Sequence, residues 1–376
     1  MKKLKALIGK AIALTLIGVT LIVLAVLKNN PDIAESMTRG PARWYGLVVS
    51  KVTGVIPFVS FTELLFVFLF FLAVLLLVLM IIDFVKLRII SAICKVLDIG
   101  IAVLTVLTVY HFSCEAAYNR KPMPLPYYSG DVERTEYIDI YNYFGNDLNY
   151  CISQLEFKES GDVKTSMSLQ DIAKEVKKAY GVINDPYFAS HSGAVKPMMS
   201  SFIYREFQIT GVTFSPLGEA NIDTMNPTGD IPFTVAHELA HTKGVMREDD
   251  ANILAFYVCL NSEHPFLRFS AYNRYFYLIR SMGSGTYLTE EERAQLVSIN
   301  PAFNKYDKYE RDYWNEHDLL KHVGDFINNL YIKSSGVEDG TSSYSGGTTY
   351  EYDPTQHKIT KFSEAHKLFL EKYYRA

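Results

Sequence analysis

Three long apolar runs dominate the first third of this 376-residue chain. Residues 11–27 are uncharged behind a basic start, residues 64–82 carry no charge, and residues 89–112 contain two charged side chains, Lys95 and Asp98. Crossing about 30 Å of hydrocarbon takes roughly 20 helical residues. The pattern therefore predicts three transmembrane helices, at about 8–28, 62–84 and 89–113. A buried core helix is the alternative for each run, and Asp98 leaves it most open for the third.

Basic residues predict how these helices are oriented, because Lys and Arg near short loops favour the cytoplasmic side. They cluster at the amino terminus and again between the second and third runs, around Lys86 and Arg88. Residues 28–60 and everything after about 113 would then lie outside the cytoplasm, although the outer segment carries four basic residues of its own. The first run ends without a small-x-small cleavage site, which favours an uncleaved anchor over a signal peptide. We expect a multi-pass protein of the cell membrane.

The remaining chain shows weaker, mixed periodicity. Residues 168–181 predict an amphipathic helix that begins at Ser168 and stops at Gly181. Residues 198–216 are rich in β-branched and aromatic side chains around Gly211, which predicts a short strand or hairpin. Three further helices and one loop are predicted: helices over 263–282, 312–331 and 363–374, and a Gly/Ser/Thr-rich loop over 334–349.

These elements predict a mainly α fold with a small β-sheet (α+β), in two parts. Residues 1–115 would form the membrane region, and residues 116–376 an extracytoplasmic domain. The net charge of -4 gives no reason to expect a nucleic-acid partner. Cys151 and Cys259 could pair as a disulfide outside the cell, but two buried free thiols fit equally well.

The run VAHELAH at residues 235–241 carries the clearest chemistry. His237 and His241 are four residues apart, so one helical face can present both imidazoles to a single metal ion. Glu238 adjoins them, where a carboxylate can take a proton from metal-bound water. The flanking residues are uncharged except Lys243, at a position where a hydrophobic residue is usual. The pattern predicts a zinc hydrolase, with a helix carrying two incidental histidines as the alternative.

A catalytic zinc needs a third protein ligand, and the sequence offers Glu248 for it. Gly244 can adopt φ > 0 and turn the chain out of the helix after His241. Asn252, one helical turn beyond Glu248, would then support His237 or Glu248 from outside the ligand set. Two other candidates for the third ligand stay open, Asp250 and His264. The acidic residues 248–250 also fit a plain helix amino terminus.

The run PFTVAHELAHTKGVMREDDANILAFYVC resembles the core of a bacterial family of membrane-anchored zincin-like proteins, the domain-of-unknown-function family 3810. Members are similar in their amino-terminal spans, the HELAH helix, a nearby Gly and the acidic block that ends in Ala-Asn. The resemblance implies a zincin-like metallopeptidase domain but no substrate. More distant zincins that use a Glu ligand place an ExxxD pair on the second helix. Glu248 and Asn252 match that spacing with Asn for Asp, although the link from His241 is shorter here.

The leading hypothesis is a membrane-anchored zinc metallopeptidase that acts on a peptide or protein substrate near the membrane surface. Glu238 would be the general base of the metal-bound water. Candidates for stabilising the oxyanion are Tyr257, His264 and Tyr272, and a strand near 206–216 could pair with an extended peptide. The alternative is a non-catalytic, membrane-tethered sensor or binding protein on a zincin scaffold. A transporter component would instead use Asp98 and Lys95, which at three residues apart could simply pair with one another.

Overall fold

The computed structural model describes residues 2–285, 288–326 and 350–376, and most of these are helical. The predicted loop over 334–349 lies outside the described residues. The bounds of the fourteen helices labelled here are α1 Lys2–Leu27, α2 Pro31–Met37, α3 Arg43–Thr53, α4 Phe61–Val85, α5 Ile89–Ser113, α6 Tyr137–Ser153, α7 Leu169–Ala179, α8 Ser201–Tyr204, α9 Ile231–Thr242, α10 Glu248–Leu260, α11 Pro265–Gly285, α12 Glu290–Arg293, α13 Pro301–Glu316 and α14 Glu364–Arg375.

The three predicted apolar helices are present as α1, α4 and α5, each long and apolar enough to cross a membrane. The rest of the chain leaves their apolar windows almost entirely uncovered, which argues against buried core helices. Helix α5 packs between α1 and α4. The prediction that Lys95 pairs with Asp98 is wrong: Lys95 bonds Asp83 of α4, and Asp98 bonds Lys10 of α1. Each charge therefore links two neighbouring helices, where burial favours pairing.

The segment between α1 and α4 is helical and lies against the second part of the chain. Helix α2 continues through a π-helical turn, Thr38–Ala42, into α3. Arg120, which follows α5, donates to both carboxylate oxygens of Glu35 in α2 at 2.8 Å. It also donates to the carbonyl oxygen of Gly244, just beyond α9. The ends of the apolar helices are thus fixed to the domain that carries the HExxH run.

The strands form three small sheets. Their bounds are β1 Val132–Glu133, β2 Glu156–Phe157, β3 Val163–Lys164, β4 Ala194–Pro197, β5 Gly211–Phe214, β6 Glu219–Ile222, β7 Glu351–Asp353 and β8 Lys358–Thr360. One sheet has the order β1-β8-β7, one pairs β2 with β3, and the third has the order β4-β6-β5. In the third sheet β4 runs parallel to β6 and β5 antiparallel to it, so β5 lies at an edge.

The predicted strand over 198–216 is only partly correct. Its first half forms α8 and a 3-10 turn, because the backbone N–H groups of Met199 and Ser200 bond the carboxylate of Glu63 in α4. Extended structure is confined to Gly211–Phe214, where β6 supplies the pairing. The hairpin therefore consists of β5 and β6, and Gly218, at φ +61, lies in the turn between them.

Three of the predicted helices are confirmed, as α7, α11 and α14. Ser168 caps α7 together with Asp171, but the helix passes into a 3-10 turn, Tyr180–Val182, instead of stopping at Gly181. The helix predicted over 312–331 is wrong in its start: α13 begins after the Asn300 cap and ends at Glu316. Asn followed by Pro is a helix-start signal that the apolar spacing alone did not reveal. Residues 321–326 are helical again, and the predicted residues 327–331 lie outside the described residues.

The core of the domain surrounds α9 and α10. Four apolar side chains of α9 and most of α10 are fully buried, packed against α7, α11 and α14. Cys151 and Cys259 belong to this core as buried free thiols, so the disulfide alternative is wrong. Helix α9 is thereby fixed with its two histidines beside the start of α10 and with Glu238 beside β5.

Candidate metal centre

Helices α9 and α10 meet through a tight turn. Helix α9 begins at Ile231 with Pro232 in its first turn, a position that proline favours. Gly244 adopts φ +86, and the N–H of Val245 bonds back to Ala240 at 3.2 Å. This is the left-handed helix end that glycine permits at low cost. Helix α10 then starts at Glu248 and runs back beside α9.

The turn brings three ligand atoms together. Glu248 Oε2 lies 3.0 Å from His237 Nε2 and 3.7 Å from His241 Nε2, and the two Nε2 atoms are 3.2 Å apart. All three ligand atoms lie within 4.8 Å of one another, and the three side chains are mostly buried. Within the described residues this is the one group of three or more such side chains close enough to share a metal ion.

The outer nitrogens of both rings face hydrogen-bond acceptors. His237 Nδ1 lies 2.9 Å from Asn252 Oδ1, and His241 Nδ1 lies 2.8 Å from the carbonyl oxygen of Val245. Each acceptor favours the proton on Nδ1, which leaves the two Nε2 lone pairs pointing at each other and at Glu248. Three atoms with free lone pairs therefore converge, with no hydrogen-bond donor among them. The arrangement fits a cation.

The pKa shifts of His241 and Glu248 agree with that conclusion. Burial opposes a charge on His241, but the carboxylate of Glu248 outweighs it and raises the His241 pKa to about 9. Burial also opposes ionisation of Glu248, yet the two histidines hold its pKa well below the ordinary value. Glu248 therefore stabilises positive charge at His241 Nε2, whether a proton or a metal ion supplies it.

Glu238 lies beside these ligands without belonging to them. Its side chain is buried, and its Oε2 accepts a hydrogen bond of 2.7 Å from Thr213 Oγ1 of β5. A Cβ atom added at Gly211 would lie 2.5 Å from Glu238 Oε1, so the strand backbone passes close against the carboxylate. Burial raises the Glu238 pKa, and the two histidines and Thr213 oppose that rise. A buried carboxylate with a raised pKa suits a group that must take and return a proton.

A family model described as "Protein of unknown function (DUF3810)" matches residues 39–350. The chain belongs to this family. The match runs from the π-helical turn before α3 to the residue before β7, and it includes α9 and α10. No curated protein and no solved structure matches the chain. Because the family's description names no activity, any chemistry must be argued from the site.

In this member of the DUF3810 family, Asp250 does not join the histidines. Its Oδ2 lies 3.6 Å from Arg247 Nε on the outer side of α10. His264 is also elsewhere: its Nδ1 accepts from the N–H of Phe266 at the start of α11. Of the three third-ligand candidates in the sequence, the structure brings Glu248 to the histidines.

The oxyanion candidates have partners elsewhere in the domain. Tyr272 donates to Asp147 at 2.6 Å within the aromatic core. Tyr257 is buried in α10, and its hydroxyl lies beside Arg375 of α14. The sequence did not reveal two groups of β5 that lie beside Glu238: the backbone of Gly211 and the hydroxyl of Thr213. A glycine inside a strand pattern often marks a close backbone approach, which is the signal that the sequence offered.

Lys243 departs from the usual zincin pattern without disturbing the site. The side chain is buried, and its Nζ reaches away from the histidines to the carbonyl oxygen of His191 at 2.8 Å. Burial lowers the Lys243 pKa to about 8. The lysine can occupy a position where the motif favours a hydrophobic residue, because long side chains can bury their aliphatic stem and keep the amine bonded.

Proposed function

We propose that the chain is a membrane-anchored, zinc-dependent metallopeptidase with a zincin-like domain. The observation that carries the proposal is the convergence of His237 Nε2, His241 Nε2 and Glu248 Oε2, with the Glu238 carboxylate beside them. Two imidazoles and one carboxylate form a ligand set typical of catalytic zinc. Asn252 and the Val245 carbonyl fix the ring orientations, a role that outer partners play at metal sites.

A bound zinc ion would lower the pKa of its water towards ~7 and polarise a substrate carbonyl. Glu238 would take the proton from that water at Oε1 and return it to the leaving amine. Its Oε2 is already occupied by the Thr213 hydroxyl. Thr213, whose hydroxyl also lies 2.8 Å from the backbone carbonyl oxygen of Glu238, would then favour Oε1 as the oxygen that moves the proton.

The surroundings of Glu238 favour a peptide over other hydrolysable substrates. Strand β5 lies at the edge of its sheet, and Glu238 contacts two of its four residues, Gly211 and Thr213. An extended peptide can add to such an edge through main-chain hydrogen bonds. That pairing would hold a scissile bond next to the carboxylate.

The proposal locates the domain outside the cytoplasm. Basic residues at the amino terminus and around Lys86 and Arg88 support this orientation. A cysteine introduced at exposed Lys308, on α13, should react with a membrane-impermeant thiol reagent on intact cells. Reaction only after lysis would reverse the orientation.

Metal analysis of the full chain in detergent tests the ligand set. We expect about one zinc per chain, because three protein ligands hold one ion. Glu248→Ala should weaken zinc binding strongly, whereas Asp250→Ala is the matched control and should retain the metal. Equal zinc content in both variants, or greater loss in Asp250→Ala, would reject the proposed third ligand.

A further inference from the structure

Helix α3 exposes its apolar face. Trp44, Val48 and Val52 follow at intervals of four, share one side of the helix, and are each more than half exposed. The opposite side carries Ser50 and Thr53, and both are buried. A helix packed on a soluble protein normally does the reverse, with its apolar stripe against the core.

Specific bonds hold α3 in this orientation. Thr53 Oγ1 donates to the carbonyl oxygen of Leu217 at 3.0 Å, and Tyr45 donates to that of Pro216 at 2.7 Å. The buried Lys196 donates to the carbonyl oxygen of Thr53 at 2.6 Å. Rolling the apolar face inward would break all three bonds, so its exposure is built into the fold.

The exposed apolar surface continues past α3 on both sides of the start of α4. Val55 and Phe58 lie in the seven-residue link, 54–60, between α3 and α4, and both are highly exposed. On the other side of α4, the backbone N–H groups of Met199 and Ser200 donate to the carboxylate of Glu63, which lies in the first turn of α4. That contact fixes a second exposed apolar group at the same level: Met199, Phe202 and Ile203.

We propose that these side chains form an interfacial surface that inserts into the bilayer leaflet on the domain's side. The interfacial surface consists of Trp44, Val48, Val52, Val55, Phe58, Met199, Phe202 and Ile203. It is continuous with the first turn of α4, a helix whose own apolar side chains need a bilayer. An exposed apolar patch of this kind marks a membrane or protein contact. Lipid is the occupant that the adjoining span already brings within reach.

The charges and aromatic side chains around the patch also fit lipid. Lys51 and Arg39 are exposed at the margin of the segment and can meet anionic headgroups. Tryptophan is enriched at the level where hydrocarbon meets headgroups. The exposed position of Trp44 at one end of α3 matches that preference.

Insertion of the interfacial surface would hold the metal centre at the bilayer surface. Phe214, the last residue of β5, packs against Phe66 of α4 with ring centroids 5.1 Å apart. Phe66 is five residues into that helix, or about 8 Å along it. Thr213, the neighbour of Phe214, bonds Glu238. If the proposed peptidase function holds, substrates are chains anchored in the same bilayer and cut close to where they emerge.

The two tryptophans of the chain provide the test, without any need for activity. Trp314→Phe leaves Trp44 as the one fluorophore of this kind, and Trp44→Phe leaves Trp314 of α13 as the matched control. Each full-chain variant is reconstituted in vesicles of phosphatidylcholine and phosphatidylglycerol, with lipids brominated at shallow acyl positions. We expect severalfold stronger quenching of Trp44 than of Trp314 by brominated lipid, and the reverse order with aqueous iodide.

Quenching of Trp44 by iodide and not by brominated lipid would overturn the proposal. So would protection of Trp44 from both quenchers, because that result would indicate a protein partner or a second copy on this face. Since a Trp replacement can perturb folding, a nitroxide on Val48→Cys gives a second measurement, with Lys308→Cys as its control. Insertion is supported if the nitroxide at position 48 collides more often with oxygen, which concentrates in the bilayer, than with a water-soluble nickel chelate. The opposite preference contradicts insertion.

Discussion

The carboxylate of Glu238 is confined between the backbone of Gly211 and the hydroxyl of Thr213. Gly211→Ala places a methyl group 2.5 Å from Glu238 Oε1 and 2.7 Å from its Cγ. Because the close atoms all belong to the Glu238 side chain and none to the backbone, that side chain must shift, and the fold should persist. We predict normal zinc content and a fall in hydrolysis of at least tenfold, on the order of one misplaced proton-transfer group.

Gly181→Ala is the matched control, since an added Cβ meets no atom within 4 Å there. Zinc content, melting temperature and hydrolysis of a peptide mixture should all match the parent in that variant. Full activity in Gly211→Ala would mean that the position of the Glu238 carboxylate does not matter for the reaction.

The sequence alone predicts the relative positions of some residues of the site but not of others. His237, Glu238, His241, Glu248 and Asn252 lie within sixteen residues of one another, so helical periodicity and one glycine turn give their relative positions. Thr213 lies 25 residues before Glu238 and reaches it through the register of the β4-β6-β5 sheet. No local pattern encodes that register.

At the scale of elements, helix α14 closes the core and carries a buried histidine. His366 has no exposed surface, and burial lowers its pKa to about 4. An unfolded chain takes up this proton near its ordinary pKa of ~6.5, so between these values the unfolded state binds more protons. Stability is complete above about 6.5 and is lost as the pH falls through about 4.

We predict that acidification from about pH 7 to about pH 5 removes roughly 2 kcal/mol of stability through His366. Unfolding of the full chain in detergent at several pH values measures this loss. His366→Gln, which does not titrate in this range, should show a shallower dependence on pH. Equal slopes for the two proteins would show that His366 protonates as readily in the folded chain as in the unfolded chain.

Elements whose signals were local could be predicted, and those that depend on distant partners could not. The three apolar helices and the capped helix α7 follow from composition and from the Ser168 capping box. The segment 198–207 has strand-like composition but folds as a helical turn, since Glu63 of α4 binds its backbone. The helices α2 and α3 were not predicted, and contacts with the domain fix them.

At the scale of the whole molecule, Arg120 connects the membrane side to the metal side. Its guanidinium is almost fully buried and binds both Glu35 of α2 and the carbonyl of Gly244 after α9. Arg120→Leu should destabilise the full chain by roughly 3 kcal/mol, because it leaves a partly buried carboxylate and a carbonyl without their donor.

The adjacent residue supplies the control for that change. Lys121 pairs with Asp32, but both side chains are largely exposed, so Lys121→Leu should leave the melting temperature almost unchanged. Thermal unfolding in detergent compares the two variants. Similar melting temperatures for both would mean that the α2 segment is not energetically coupled to the domain. A fragment that begins after α5 would lack this contact between α2 and the domain.

The proposed role of Glu238 is to move a proton beside a zinc ion, and its replacement by glutamine tests that role. Glu238→Gln keeps the size of the side chain but cannot accept a proton at neutral pH, and it leaves the three ligands intact. With zinc content verified as equal, a peptide library is incubated with each protein and its cleavage followed by mass spectrometry. The parent should cleave, and Glu238→Gln should be slower by roughly 100- to 10,000-fold. Equal cleavage rates, or a zinc-loaded parent that cuts nothing, would contradict the peptidase assignment.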